Sequence, residues 1–144
     1  MIIIVDVNIV ISSLIRDSTT RDILVTSGQD FCFPELSLHK IRKYKDLILQ
    51  KSGLSEKEFD AVFHAIFQFI RLIPTEELTH HWARAKRIME HVDPEDVAFI
   101  ASALSQENAI IWSDDRHFDQ QKDITTLKTK DIAALFHKEK SQSF

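Results

Sequence analysis

The sequence predicts an α/β fold, a three-layer α/β/α sandwich with a central parallel sheet of about five strands, and three observations carry that expectation. Short aliphatic runs alternate with helical stripes along the chain, the order that builds strand-helix-strand units. The clearest runs, Ile2 to Val5 and Ala109 to Trp112, are apolar throughout, as strands covered on both faces must be. Only two residues of 144 are glycine, so most of the backbone is left to regular elements.

Taken in order, Ile2 to Val5 is the first strand, too β-branched for a comfortable helix, and Asp6 follows it directly. Asn8 opens a short helix with Ile9, Val10, Leu14 and Ile15 inward. A second helix runs from Thr19 to Ser27, with Thr19 or Thr20 as cap, Ile23 and Leu24 inward and Gly28 as its stop. Phe31 to Phe33 is the second strand. Pro34 then opens one long helix to about Lys51, ending near Gly53 and carrying Lys40, Arg42, Lys43, Lys45 and Lys51. Ser55 and Glu58 form a capping box ahead of a helix bearing Phe59, Val62, Phe63, Ile66, Phe67 and Ile70. That arc is broader than one-sided burial needs; it reads as core and, with Phe69, as a face for a homodimer.

Arg71 to Ile73 is the third strand, closed by Pro74, and Thr75 to Glu90 a single helix with Trp82, Ala85, Ile88 and Met89 inward. The next helix starts near Asp93 or Pro94, buries Phe99, Ile100, Ala103 and Leu104, and is broken by Asn108. Ala109 to Trp112 is the fourth strand, with Ser113, Asp114 and Asp115 at its end. Phe118 anchors a short helix, Thr125 to Leu127 is the fifth strand, and Thr129 to His137 the last helix, with Ile132, Leu135 and Phe136 inward. Residues 1–137 are expected to form one domain and the polar segment 138–144 a frayed tail.

Composition narrows the function classes. Apolar (44%) and charged (28%) fractions are those of a globular domain large enough to bury a core. A net charge of −4 argues against indiscriminate nucleic-acid binding, though carboxylates that hold cations contribute to it. The basic helix spans more than one face and reads first as a solvated surface, second as a phosphate track. Gly28 and Gly53 lie too far apart for a glycine-rich phosphate loop, and the lone Cys32 has no disulfide partner and reads as core. The initial apolar run is too short to span a membrane, so a cytoplasmic location is expected. His80, His81 and His91 lack the i, i+4 pairing of a helical zinc site.

Open parallel sheets bind ligands beyond the carboxyl ends of their strands. If the first and fourth strands are neighbours, Asp6 and Asp115 face each other at one rim, and Asp96, in the first turn of the helix leading into the fourth strand, points to the same rim. Each has an ordinary reading: a turn residue, a first-turn acid favoured by the helix dipole, a helix cap. Together they form an acidic cluster that a cation would neutralise, and all-oxygen ligation suits Mg²⁺ or Mn²⁺.

Three segments resemble one family. Asp6 to Leu14 (DVNIVISSL), Asp96 to Leu104 (DVAFIASAL) and Ser113 to Phe118 (SDDRHF) are similar, in order, to the D-x-N-x-x-I-S-x-L, D-x-x-x-I-A-x-A-L and [ST]-x-D-x-x-F motifs of PIN domains. The resemblance covers most of the chain. It implies a PIN-like fold, a metal-dependent endoribonuclease with an RNA substrate, and often the toxin of a toxin-antitoxin pair with an antitoxin protein as partner. It also implies catalytic and metal-ligating roles for Asp6, Asp96 and Asp115. Asn8 and Ser113 then read as donors that steer those carboxylates, Asp114 as reaching an outer-sphere water, and Lys40 and Arg116 as the residues that meet RNA phosphate. The chain departs from the pattern where the family places a glutamate on the helix after the second strand. His39 and Lys40 stand there, and Glu35, about one and a half turns earlier, is the nearest replacement ligand. The alternative is therefore a catalytically impaired PIN-like module that binds RNA or protein. A phosphotransfer receiver or phosphatase fits worse: Asp6 stands without a second acid before it, and Asn8 occupies the second position of an Asp-x-Asp motif.

Overall fold

The aliphatic run at the start is the central strand of the computed structural model, which describes residues 1–89, 91 and 93–142, with side chains described as far as residue 136. Among the described residues, β1 (Ile2–Val5), β2 (Asp30–Pro34), β3 (Ile70–Ile73), β4 (Ile110–Trp112) and β5 (Thr126–Leu127) form one all-parallel sheet in the order β3-β2-β1-β4-β5. Ile3, Ile4 and Val5 are wholly buried, as are Cys32, Phe33, Ile111 and Trp112, because helices cover both faces.

On one face α1 (Val7–Ile15) packs against α2 (Thr19–Thr26), α3 (Leu38–Lys43), α4 (Lys45–Ser52) and α5 (Glu56–Phe67), and α9 (Thr129–Gln142) lies on α2. On the other, α6 (Thr75–Thr79) and α7 (Trp82–Met89) pack on α8 (Val97–Ser105), which sits over β1, β2 and β4. Phe99 of α8 is the hinge of that layer's core. Its ring meets Phe33 edge-on at 5.6 Å and Phe118 at 6.5 Å, joining helix, sheet and the turn after β4.

The chain lays β2 and β3 on one side of β1, then crosses to place β4 on the other. The strand order therefore reverses between β1 and β4, and it is at such a switch point that an open α/β sheet leaves a crevice for a ligand. Ile3 pairs with Ile110, Ile4 with Ile111 and Val5 with Trp112, which brings Asp6 and Ser113 out side by side. The ladder continues one step, with the Asp6 amide donating to the Trp112 carbonyl at 3.1 Å.

Several elements differ from the sequence expectation. The helix after β2 is three pieces, a 3-10 turn Glu35–Ser37, α3 and α4, and its basic residues are divided between the two helices. Tyr44 takes the bend, its amide closing on the Ile41 carbonyl three residues back, and the bend lets both short helices wrap α1. Pro34 ends β2 rather than opening a helix; β1 pairing stops at Cys32, and Pro34 stands in register with Ile73 of β3 alone. Ser18, not Thr19 or Thr20, caps α2 through its hydroxyl. The expected helix from Thr75 to Glu90 breaks at His80 and His81, and the break turns Trp82 outward to 37% exposure while Leu78, Ala85 and Met89 stay buried. Glu90 lies outside the described residues. So do residues 143 and 144 of the expected tail 138–144, along with the side chains of its other residues. The capping box at Ser55 and Glu58 is as expected, whereas α8 ends at Ser105 with extended Gln106 as its cap, before left-handed Asn108 (φ 54°) in the turn to β4.

Because Phe99 is fully buried between two aromatic partners, Phe99→Ala should cost about 3–5 kcal/mol of unfolding free energy, whereas Phe69→Ala, 43% exposed, should cost under about 0.5 kcal/mol. Urea denaturation followed by circular dichroism measures both.

Candidate metal centre

Asp6 leaves the end of β1 and immediately caps α1. Its Oδ1 accepts from the Val7 amide at 2.7 Å, and its backbone carbonyl accepts from Ile9 and Val10, so Asp6 rather than Asn8 is the cap. Asn8 sits exposed in the first turn. The other Asp6 oxygen, Oδ2, accepts from the Ser113 hydroxyl at 2.7 Å, and that hydroxyl in turn accepts from the Asp115 amide at 3.0 Å. Buried Ser113 thus locks the ends of β1 and β4 together and fixes the face that Asp6 presents.

Asp96 comes from the opposite direction. Asp93 opens the 3-10 turn Pro94–Asp96 by accepting from the Glu95 amide at 2.9 Å, and Asp96 closes that turn at the N-terminus of α8, 8% exposed. Asp115 caps the 3-10 turn Arg116–Gln120, its Oδ1 accepting from the His117 amide at 2.9 Å. That turn folds the His117 side chain back into the cluster, where Nδ1 lies 3.4 Å from Asp93 Oδ2, Asp96 Oδ2 and Asp115 Oδ1 alike.

Crowding of acids leaves its mark on their titration. Burial raises the pKa of Asp6, the Asp115 charge raises it further, and hydrogen bonds from Ser113 and Val7 offset part of the rise. Asp96 is pushed up to about 6, first by burial and then by the charges of Asp6, Asp93 and Asp115. These couplings tie Asp6, Asp96 and Asp115 into one electrostatic unit at the mouth of the sheet.

Other residues singled out by sequence stand elsewhere. Glu35 is exposed at the head of its 3-10 turn and is not among the main charges acting on Asp6 or Asp96. Lys40 reaches the rim: its ammonium donates to the Glu95 carbonyl at 2.8 Å, pairs with the Glu95 carboxylate at 3.2 Å and lies over the Phe99 ring. From there it lowers the Asp6 pKa slightly. His39 is exposed, its ring nitrogen 2.7 Å from the Leu36 carbonyl of its own chain turn. Asp114 points away to α9, accepting from the Thr129 amide and hydroxyl at 2.8 and 2.7 Å, so it is occupied as a helix cap rather than turned to the cluster. Arg116 is exposed. Sequence reasoning missed Asp93 and His117 as members of the cluster. Asp93 stood three residues before Asp96 and was read only as a helix start; His117 showed no second histidine at helical spacing, and only a 3-10 turn brings it back onto the acids.

A divalent cation fits this donor set. Asp96 Oδ2 and His117 Nδ1 are buried atoms with no hydrogen-bond partner, and an oxygen-rich cluster at one strand mouth would be relieved of its repulsion by positive charge. Asp93, Asp96 and His117 offer donor atoms that all lie within 4.8 Å of one another.

Raised pKa values fix the direction of the pH response. The Asp96 carboxyl titrates near 6 in the fold, above its ordinary value in an unfolded chain, so its contribution favours the metal-free fold at acid pH and is lost as the pH rises through about 6. In EDTA, Asp96→Asn should therefore match the wild-type stability near pH 4 and exceed it by about 1–3 kcal/mol at pH 8. Urea titrations across that range test this; a difference independent of pH would refute it.

No curated protein matches the sequence. Among solved structures, a chain of VapBC2 from Rickettsia felis, crystallised bound to a DNA fragment from their promoter, shares this fold with a TM-score of 0.66. The match covers 89% of this chain and 98% of that one at 13% identity. The family model described as PIN domain matches residues 4–135, a span that holds the whole carboxylate cluster and every strand except the first two residues of β1. With that match over most of its length, the chain belongs to the PIN domain family.

Proposed function

We propose that the protein is a metal-dependent endoribonuclease, the toxin of a toxin-antitoxin pair, acting in the cytoplasm with Mg²⁺ or Mn²⁺ at the mouth between β1 and β4. The observation that carries this reading is the cluster of buried Asp6 and Asp96 with half-buried Asp115 at the switch point of the sheet, where the charges of Asp6 and Asp115 act on Asp96 and that of Asp115 on Asp6. Membership of the PIN domain family supports the reaction class, and the fold shared with a chain of VapBC2 supports an antitoxin as partner. Among the described residues no helix is long and apolar enough to cross a membrane.

In this reading Asp6, Asp96 and Asp115 hold the cation. Once bound, a divalent ion lowers the pKa of a water and offsets charge on the phosphodiester. The chain's own work is positional. Ser113 and the Val7 amide hold both oxygens of Asp6, so the carboxylate meets its ligand without reorganising. Asp115 is held by the turn it caps. Lys40 and exposed Arg116 flank the mouth as the cations that meet RNA phosphate, Lys40 by exchanging its contact with Glu95.

The rival reading, a catalytically impaired module, has one observation behind it: Lys40 stands on the helix after β2 where the family resemblance leads one to expect an acid, and its charge acts on Asp6. Incubating a mixed RNA pool with Mn²⁺ separates the two. Wild-type protein should cut, and Asp6→Asn and Asp96→Asn should each lower the rate at least about 100-fold. No cutting by the wild type, with activity appearing in Lys40→Glu, would establish the impaired module.

A further inference from the structure

We propose that Asp93 and His117 are themselves metal ligands, completing with Asp96 a mixed nitrogen and oxygen position that prefers a first-row transition ion over Mg²⁺. This deepens the nuclease reading and rests on it only for the presence of a divalent ion at the cluster. Neither residue belongs to the trio Asp6, Asp96 and Asp115 on which that reading stands.

The geometry is that of donors facing a common point. Nδ1 of His117 is 3.4 Å from an oxygen of each of Asp93, Asp96 and Asp115, and the donor atoms of Asp93, Asp96 and His117 all fall within 4.8 Å of one another. Neighbouring ligand atoms around an ion at about 2.1 Å are about 3.0 Å apart in an octahedron and about 3.4 Å apart in a tetrahedron. The three 3.4 Å contacts of His117 Nδ1 are thus near ligand separations and longer than good hydrogen bonds.

Two further observations point to a ligand rather than to a closed acidic surface. Asp96 is 8% exposed, and its Oδ2 lies 3.4 Å from His117 Nδ1 with no closer hydrogen-bond partner. His117 Nδ1, also buried, makes no hydrogen bond either, although three carboxylates surround it. A carboxylate oxygen and a ring nitrogen held 3.4 Å apart without a hydrogen bond between them are both satisfied by a cation. Backbone amides hold the surrounding acids: Asp93 Oδ1 accepts from Glu95 and Asp115 Oδ1 from His117. Those bonds set the aspartates in place before any ion arrives.

The nitrogen is what selects the ion. Imidazole binds first-row transition ions well, while Mg²⁺ keeps to oxygen donors and releases its waters reluctantly. His117 therefore separates Mn²⁺ from Mg²⁺ at a site whose oxygens accept both.

Electron spin-echo envelope modulation on the EDTA-stripped protein, reloaded with Mn²⁺ alone, reads the nitrogen directly. Wild-type protein should bind Mn²⁺ and show ¹⁴N modulation; His117→Ala should lose the modulation, weaken Mn²⁺ about tenfold by calorimetry and leave Mg²⁺ affinity nearly unchanged. Asp93→Asn should weaken both ions. Absence of Mn²⁺ binding, or binding without ¹⁴N modulation in the wild type, overturns the proposal, and neither outcome depends on a variant folding. RNA takes no part in the measurement, so nitrogen ligation without cleavage would overturn the nuclease reading alone, and cleavage without nitrogen ligation this one alone.

Discussion

Parallel pairing of β1 with β4 is the constraint on which the rest of the molecule depends. Asp6 and Ser113 lie 107 residues apart in the chain, and only that pairing sets them side by side, where one hydroxyl joins them at 2.7 Å. It also places the reversal of strand order, and with it the crevice, at this edge and not between β1 and β2. The crossover that delivers β4 runs through α8, so the helix N-terminus bearing Asp96 necessarily opens at the same edge. Topology, not local sequence, makes the cluster.

Gathering acids in this way works against the fold. Burial and mutual repulsion keep Asp96 half-protonated near pH 6, and the hydrogen bonds from Ser113 and the Val7 amide offset only part of the penalty on Asp6. Lys40 and His117 stand close by, yet neither offsets the cluster fully: Lys40 is engaged with Glu95, and His117 Nδ1 lies 3.4 Å from the acids without a hydrogen bond. A cation is the kind of group that would relieve such a site of its repulsion. The stabilising mass lies elsewhere, in the aromatic chain from Phe67 through Phe33 and Phe99 to Phe118, which supports the turn holding Asp115 and His117 from beneath.

The capped turns show how short-range chemistry aims long-range chemistry. Asp93 and Asp115 each place one oxygen on a backbone amide two residues on, which orients the carboxylate and leaves it a second oxygen, while Asp6 is held at both oxygens by the Val7 amide and the Ser113 hydroxyl. The same economy explains Asp114: next to Asp115 in sequence, it alternates to the opposite direction and caps α9. Adjacent acids in an extended segment do not share a destination.

What the sequence determined by itself was whatever depends on neighbours in the chain. The strands as continuous apolar runs, the capping box at Ser55, the acids at strand and helix ends and the three motif segments were all legible, because periodicity, propensity and capping act over a few residues. The tertiary structure alone decided where helices bend and which side chains turn inward. Tyr44 and the pair His80 and His81 carry no breaker residue, and their breaks follow from wrapping α1 and α8, which turns Trp82 outward. It alone also brought His117 onto Asp93 and Asp96 and sent Lys40 to Glu95, 55 residues away, since contacts between distant segments are set by packing and register, which no local pattern encodes.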